Sequence, residues 1–162
     1  MITNGLVDSW TVYDNITLAV RYHQLLSETQ LTNRLAELGD RFALPQKCLA
    51  LPCSALNQRE RDSAALIRAL MPSPELLLID SDKPWYQSIS RYHLRRVELL
   101  EKSVSSLILH GSLATLDLYR TNRVQAAVLS DGRIAATGGI EEIRHHPSQQ
   151  VRDLLATELA ST

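Results

Sequence analysis

A helix, a proline-marked turn and an apolar strand follow one another in residues 56–80, and this succession constrains the fold most. The stretch reads LNQRERDSAALIRALMPSPELLLID. The helix, at 57–70, is polar in its first turns and small and apolar later, so we expect it to bury its C-terminal half. Pro72 and Pro74 end it, because proline disrupts a helix. Residues 76–79 form a continuous apolar run, which predicts a strand covered on both faces.

Helices and strands alternate along the rest of the chain, which predicts an α/β fold with a partly parallel sheet. Ser27 and Gln30 form a capping-box pattern at the start of a helix, and Gly39 is its predicted stop. An Asp-Gly pair at 131–132 predicts a hairpin turn, and two glycines at 138–139 are expected to break the chain after it. The other predicted elements are helices at 11–26, 27–39, 88–102 and 113–119, strands at 106–109, 124–129 and 133–137, and two short final helices, the second at 148–159.

Composition predicts a soluble globular domain. The 162 residues are 44% hydrophobic and 22% charged, with a net charge of −1, so the balance does not favour nucleic acid as a partner. No apolar run approaches the roughly 20 residues that cross a bilayer, and no signal segment is recognised at the N-terminus. Cys48 and Cys53 have no second pair or nearby histidine, so we expect two reduced, partly buried thiols of a cytosolic protein rather than a metal site.

Two polar residues follow apolar strands at positions where α/β sheets bind ligands. Asp80 is either a metal-binding acid or a carboxylate that caps the following turn. His110 could face the same site if the two strands are neighbours, and there contact a phosphate or orient a water; the alternative is a surface or capping histidine. Asp82 and Lys83 could add a magnesium ligand and a phosphate-neutralising charge, or be solvated turn residues. The histidines at 145–146 are interpreted as a solvated loop.

No phosphate-binding loop occurs in the sequence. Neither GxxxxGK[ST] nor GxGxxG is present, and no GxSxG nucleophile motif precedes a helix. Without backbone amides and a lysine around the β- and γ-phosphates, ATP loses most of its charge complement. The residues alone therefore predict no independent nucleotide site.

In their order, these pieces resemble the ATP-binding subunit of an ABC transporter, from its Q-loop region to its C-terminus. LNQRERDSAALIRAL is similar to the signature motif and its helix, PELLLID to Walker B, LILHG to the H-loop strand, and NRVQAAVLSDGRIAATGGIEEI to the closing hairpin. AVRYH and HPSQQVRDLL resemble the lipid-asymmetry (Mla-type) subfamily.

The resemblance implies an α/β fold: a partial ABC-type P-loop NTPase half-core, with a mostly parallel sheet and a C-terminal hairpin, plus a small helical subdomain. Residues 1–162 would form a single domain. Within it, 10–72 would be the helical subdomain, 73–140 the α/β half-core and 141–162 a C-terminal helical tail.

The departures from the family pattern concern the nucleotide. The Walker A half is expected to be missing, since the match begins at about the Q-loop. The Ser-Gly-Gly of the signature motif, whose glycines let the backbone approach a γ-phosphate, is replaced by Asn57, Gln58 and Arg59. Gln58 and Arg59 would put side chains into that space, although the charge of Arg59 could meet a phosphate.

Only two functional residues of the family are matched. Asp80 corresponds to the metal-binding aspartate of Walker B, and His110 to the H-loop histidine. The Walker B glutamate, which polarises the attacking water, is replaced by Ser81, and a serine cannot serve as that base. The resemblance therefore implies no catalytic residue and no cofactor of the chain's own, and ATP with Mg²⁺ only together with a partner chain.

The resulting hypothesis is a degenerate, non-hydrolysing relative of a transporter's ATP-binding subunit that acts as a structural or regulatory partner. It would dock on the transporter's membrane subunit or pair with an intact ATP-binding subunit, in the cytoplasm or peripherally on the inner membrane. The missing half would expose a strand edge and an apolar face, so a homodimer or heterodimer is expected. Two alternatives are part of a split ABC ATPase, and a receiver-like domain phosphorylated on Asp80.

Overall fold

The computed structural model describes residues 5–80, 102–110 and 125–159, without the side chains of 79–80, 107–110 and 156–159. The chain divides into two compact units, residues 1–78 with 95–108 and residues 79–94 with 109–162. In chain order the described residues form α1 (Val12–Tyr22), α2 (Glu28–Arg41), two 3-10 helices (Gln46–Ala50 and Cys53–Ala55), α3 (Gln58–Leu70), β1 (Leu76–Asp80), β2 (Ser106–His110), β3 (Gln125–Ser130), β4 (Arg133–Gly139), α4 (Ile140–Arg144) and α5 (Gln149–Leu159).

Helix α1 begins at a threonine cap and ends earlier than predicted. The Thr11 hydroxyl accepts a 3.0 Å hydrogen bond from the amide of Asp14, which satisfies one of the free donors of the first turn. Gln24 adopts a positive φ of 52° two residues after the helix ends, whereas the apolar spacing predicted a helix to residue 26. The fully buried stripe consists of Val12, Ile16 and Val20, four residues apart.

Helix α2 confirms the predicted capping box but not the predicted stop. The Ser27 amide donates to the Gln30 side chain at 2.9 Å, and the Gln30 amide donates back to the Ser27 hydroxyl. The helix passes through Gly39 and ends at Arg41, and the chain turns at Ala43, whose φ is 53°. Its buried stripe consists of Leu31, Leu35 and Leu38, which repeat at the helical spacing.

Helix α3 buries its C-terminal half, as its composition predicted. Ala64, Ile67 and Leu70 are buried in the core of the first unit. At its C-terminal end, the guanidinium of Arg34 on α2 donates to the carbonyl oxygens of Leu70 and Met71, at 2.9 and 3.2 Å. Those carbonyls have no partner within the helix, so Arg34 caps α3 from a neighbouring helix.

Strands β1 and β2 are neighbours in a two-stranded sheet. The amide of Ser106, the first residue of β2, donates to the carbonyl of Glu75, just before β1, at 2.9 Å. The prediction of a strand covered on both faces was wrong: Leu77 is buried, but Leu76 and Leu78 are exposed. Alternate side chains of a strand point to opposite faces, so the described residues leave the face of Leu76 and Leu78 exposed.

The second unit contains an antiparallel hairpin of β3 and β4, with a register shift between Val128 and Leu129. Residues 131 and 132 form the predicted turn, with φ of 50° and 73°. β4 extends two residues beyond its predicted end and stops at Gly139, within the predicted break at 138–139. The Gly139 amide then donates to Glu142 on α4 at 2.8 Å. The small core of this unit consists of Ala136, Ile143 and Val151, packed with Ala126, Val128 and Leu155.

Candidate functional site

The three signature-like positions lie at the N-terminus of α3. Asn57 is its N-cap: the side-chain oxygen of Asn57 accepts from the Glu60 amide at 3.0 Å, and the Glu60 carboxylate accepts from the Asn57 amide at 3.0 Å. The Gln58 side chain donates to Asp62 at 2.8 Å, and Arg59 is exposed. The sequence analysis missed this capping box, although Asn-x-x-Glu is a recognisable signal for it.

The first turn of α3 carries a negative charge. Besides its bond to Asn57, the Glu60 carboxylate accepts a 3.5 Å hydrogen bond from the Cys48 thiol. A carboxylate in the first turn stabilises the helix through the helix dipole. The same charge repels a phosphate, and two amides that could have met one are already bonded to side chains. The Glu60 carboxylate therefore opposes a phosphate at this end of α3, whereas the charge of the exposed Arg59 would attract one.

The two residues that match the family's functional positions end neighbouring strands. Asp80 is the last residue of β1 and His110 the last residue of β2. Asp80 and His110 could face one site only if their strands were neighbours, and β1 and β2 meet that condition. Ser81, Asp82 and Lys83 lie outside the described residues. Within the described ranges, no group of three or more His, Cys, Asp or Glu residues could hold a metal ion.

Cys48 and Cys53 are free, buried thiols, as predicted, and more deeply buried than expected. Burial raises the pKa of Cys48, and the hydrogen bond and charge of Glu60 raise it further. Burial also raises the pKa of Cys53, against the opposing effect of Arg61. Nucleophilic and metal-binding cysteines need the thiolate, so these two have the properties of structural residues.

The segment before α1 is fastened to the rest of the first unit. Asn15 is buried, with 1% of its surface exposed. Its side chain accepts from the Val7 amide at 2.7 Å and donates to the carbonyls of Val7 and Thr11 and to the Cys53 sulfur. The guanidinium of Arg61 pairs with Asp8 at 2.5 Å. This segment therefore has a defined position beside α1 and α3.

An open groove of about 650 Å³ lies along the exposed side of α1. Leu18 and Tyr22 repeat at a spacing of four residues, outside the buried stripe of the helix, and both are exposed. This exposed pair was not predicted from the sequence, although its four-residue spacing is a recognisable signal for a second apolar stripe on α1. The lining residues are Ser9, Trp10, Thr11, Asp14, Leu18, Arg21 and Tyr22.

Comparison with solved structures shows that the fold is that of the ATP-binding domains of ABC transporters. An ATP-binding subunit of an ABC transporter superposes with a TM-score of 0.64 at 24% identity, covering 96% of this chain and 64% of the other. The ATP-binding cassette MJ1267 in its ADP conformation superposes with a TM-score of 0.69 at 17% identity, covering 94% and 65%. At these sequence identities, the similarity to the two solved structures establishes a shared fold alone.

Curated relatives add sequence similarity to the same class. The chain is 26% identical over 149 residues to the methionine import ATP-binding protein MetN of Haemophilus ducreyi, covering 91% of this chain and 42% of that protein. It is 28% identical over 161 residues to the protein of that name from Legionella pneumophila (strain Lens), covering 96% and 45%. Fold and sequence together support a relationship to the ABC transporter ATP-binding subunit family.

The chain spans less than half the length of these relatives. No protein-family model matches it. Among the described residues, no helix combines the length and the apolar character needed to cross a membrane.

Proposed function

We propose that this chain is a degenerate relative of an ABC transporter ATP-binding subunit, which serves a transporter as a structural or regulatory partner and does not hydrolyse ATP. The observation that carries the proposal is the closed N-terminus of α3. There Asn57 and Glu60 satisfy each other's amides, and Glu60 adds a negative charge.

Nucleotide binding and turnover by the purified chain test the catalytic part of this proposal. We expect no Mg²⁺-dependent ATP hydrolysis above background and no change on Asp80→Asn or His110→Ala. Hydrolysis that Asp80→Asn abolishes would contradict the proposal. Phosphorylation of Asp80 by acetyl phosphate would instead favour the receiver-like alternative.

The groove on α1 supports docking on a membrane subunit from the cytoplasmic side. By resemblance, this helix would belong to the helical subdomain, which in that family receives a helix of the membrane subunit. The groove offers an aromatic side chain at each end, Trp10 and Tyr22, with Leu18 between them. Aromatic and apolar groups concentrated on one surface are typical of interfaces.

Co-purification from membranes tests the docking. We expect the chain to bring down a transporter membrane subunit, and Leu18→Asp in the groove to abolish this. Leu25→Asp is the matched control, because Leu25 is exposed and follows α1 but does not line the groove. Equal recovery with both variants, or no membrane subunit with the unmodified chain, would rule out docking through this groove.

The proposal also concerns the substrate of the transporter, which is either a lipid or methionine. The Mla-type segments suggest a lipid transporter, whereas the relatives are named for methionine import. Transport assays with the membrane subunit recovered above would distinguish the two. Loss of lipid transport on Leu18→Asp would support the first, and loss of methionine uptake the second.

Part of a split ATPase is a second candidate, because the similar curated proteins are named as ATP-binding proteins. In a split ATPase, a separate polypeptide would carry GxxxxGK[ST]. Co-purification with such a polypeptide and recovery of ATPase activity would support this candidate. The capped N-terminus of α3 and the serine at position 81 argue against it.

A further inference from the structure

One arginine connects the wall of the groove to α3. Arg61 lies in the second turn of α3, and its side chain is only 13% exposed. Its guanidinium donates to the Cys53 carbonyl at 2.7 Å and to the Asp8 carboxylate at 2.5 Å. A single planar side chain thus bridges the segment before α1 and the segment before α3.

These two segments are already joined through their backbones. The Cys53 amide donates to the Trp10 carbonyl at 3.0 Å, and the Ser54 amide donates to the Asp8 carbonyl at 3.1 Å. Thr11 and Pro52 form an antiparallel bridge. Arg61 therefore holds both sides of a short ladder, and Trp10, which lines the end of the groove, belongs to that ladder.

Besides Arg61, the buried Asn15 holds the same segment from the side of α1, through Val7, Thr11 and the Cys53 sulfur. Asp8 and Trp10 are exposed, so little apolar burial holds this part of the segment in place. Short exposed ladders open locally at low free-energy cost. A charged side chain that bonds both segments reduces the opening and fixes the aromatic end of the groove before a partner arrives, which lowers the ordering cost of binding.

We infer that Arg61 is a positioning residue for partner docking: through Asp8 and Cys53 it holds Trp10 in place at the end of the groove. This inference rests on the docking function proposed above. Arg61 itself does not line the groove, so it acts on the partner only through the segment that carries Trp10.

The test compares two arginines of similar chemistry. Arg61→Gln removes the bridge, and Asp8→Asn, at an exposed position, removes only the ion pair without endangering the fold. Arg34→Gln is the matched control, because Arg34 also makes two hydrogen bonds through its guanidinium, here to two backbone carbonyls at the far end of α3. The probe is the membrane subunit recovered by co-purification, purified in detergent, and each variant is assayed below its unfolding transition.

We expect Arg61→Gln to weaken the affinity for the membrane subunit roughly tenfold, which is within the range of effects measured for residues of one hydrogen-bond network. Asp8→Asn should weaken the affinity less, because it leaves the bond from Arg61 to the Cys53 carbonyl in place. In the double variant, Asp8→Asn should add nothing to Arg61→Gln. Hydrogen exchange at the Cys53 and Ser54 amides should accelerate in Arg61→Gln and not in Arg34→Gln.

Equal affinity of the unmodified chain and Arg61→Gln, or the same loss in Arg34→Gln, would overturn the inference and leave the docking function standing. Unchanged exchange at the Cys53 amide would overturn it as well. Failure of the unmodified chain to bind the membrane subunit would overturn the docking function itself.

Discussion

At the scale of single residues, buried polar groups decide the geometry around the groove. Asn15 lies inside the first unit and makes hydrogen bonds to the backbone of Val7 and Thr11 and to the Cys53 sulfur. A buried polar group is tolerated only when it is bonded in this way. Asn15 therefore fastens the segment that carries Trp10 to α1.

Replacement of Asn15 by alanine should lower the free energy of unfolding by roughly 1–3 kcal/mol, because the Val7 amide and carbonyl lose their buried partner. Urea unfolding measures the change. Asn33→Ala on the exposed face of α2 is the control, and it should stay within about 0.5 kcal/mol of the unmodified chain. Equal effects of the two substitutions would contradict the role assigned to Asn15.

The buried thiols predict a pH dependence. Burial raises the pKa of both Cys48 and Cys53 above 9.0, their ordinary value. Above that pH the folded chain holds more protons on the thiols than the unfolded chain, so the free energy of unfolding falls as pH rises. Their contribution is fully present below pH 9.0 and is lost through the higher pKa of the folded state.

Urea unfolding between pH 7 and 10.5 measures this loss. The reference is the double variant Cys48→Ala, Cys53→Ala, whose free energy of unfolding should fall less steeply in this range. Parallel curves for the two proteins would show that the thiols do not contribute.

At the scale of elements, the capping residues determine where the helices begin. Asn57→Ala should destabilise the chain by about 1 kcal/mol, whereas Asn57→Gly should cost only a few tenths, because glycine also serves as an N-cap. Thermal or urea unfolding of both variants checks this. A larger loss in the glycine variant than in the alanine variant would contradict the capping role of Asn57.

The hairpin turn gives a second prediction at this scale. Gly132 has a φ of 73°, and a Cβ built there meets nothing within 4 Å. Gly132→Ala should therefore cost about 1–2 kcal/mol through backbone strain alone. Gly132→Asn should cost less, because asparagine tolerates positive φ. Urea unfolding of the two variants makes the comparison, and an equal cost would show that strain is not the cause.

Most element types in the described residues could be predicted from spacing, because buried stripes such as Leu31, Leu35 and Leu38 repeat at the helical period. Three ends of elements differ from the prediction. α1 ends at Tyr22 instead of residue 26. α2 passes through Gly39, and β4 passes through Gly138 and ends at Gly139, since a glycine permits a stop without requiring one. The helices predicted at 88–102 and 113–119 lie outside the described residues.

At the scale of the whole molecule, the exposed apolar surface predicts a partner. Leu129 and Ile134 face each other across the hairpin and are 62% and 63% exposed. On β1, Leu76 and Leu78 are exposed as well. Apolar groups grouped on one face indicate an interface more strongly than scattered ones. The expected homodimer or heterodimer stays a prediction.

Analytical ultracentrifugation tests whether the purified chain associates with itself. We expect the purified chain to sediment as a dimer or larger, and Leu129→Lys with Ile134→Lys to shift it towards the monomer. Leu51→Lys, at an exposed leucine of the first unit, is the control and should leave the sedimentation unchanged. If the unmodified chain sediments as a monomer, self-association is ruled out, and only a heterodimer with a different protein stays predicted.

The sequence by itself determined the local structure, because caps, turns and apolar stripes depend on neighbours a few residues apart. The tertiary structure alone decided the groove and its support. Arg61 meets Asp8 across 53 positions of sequence, and no local period signals such a pair. Contacts of this kind exist only once packing has brought distant segments together, and for that reason the support of the groove by Arg61 could not be predicted from the sequence.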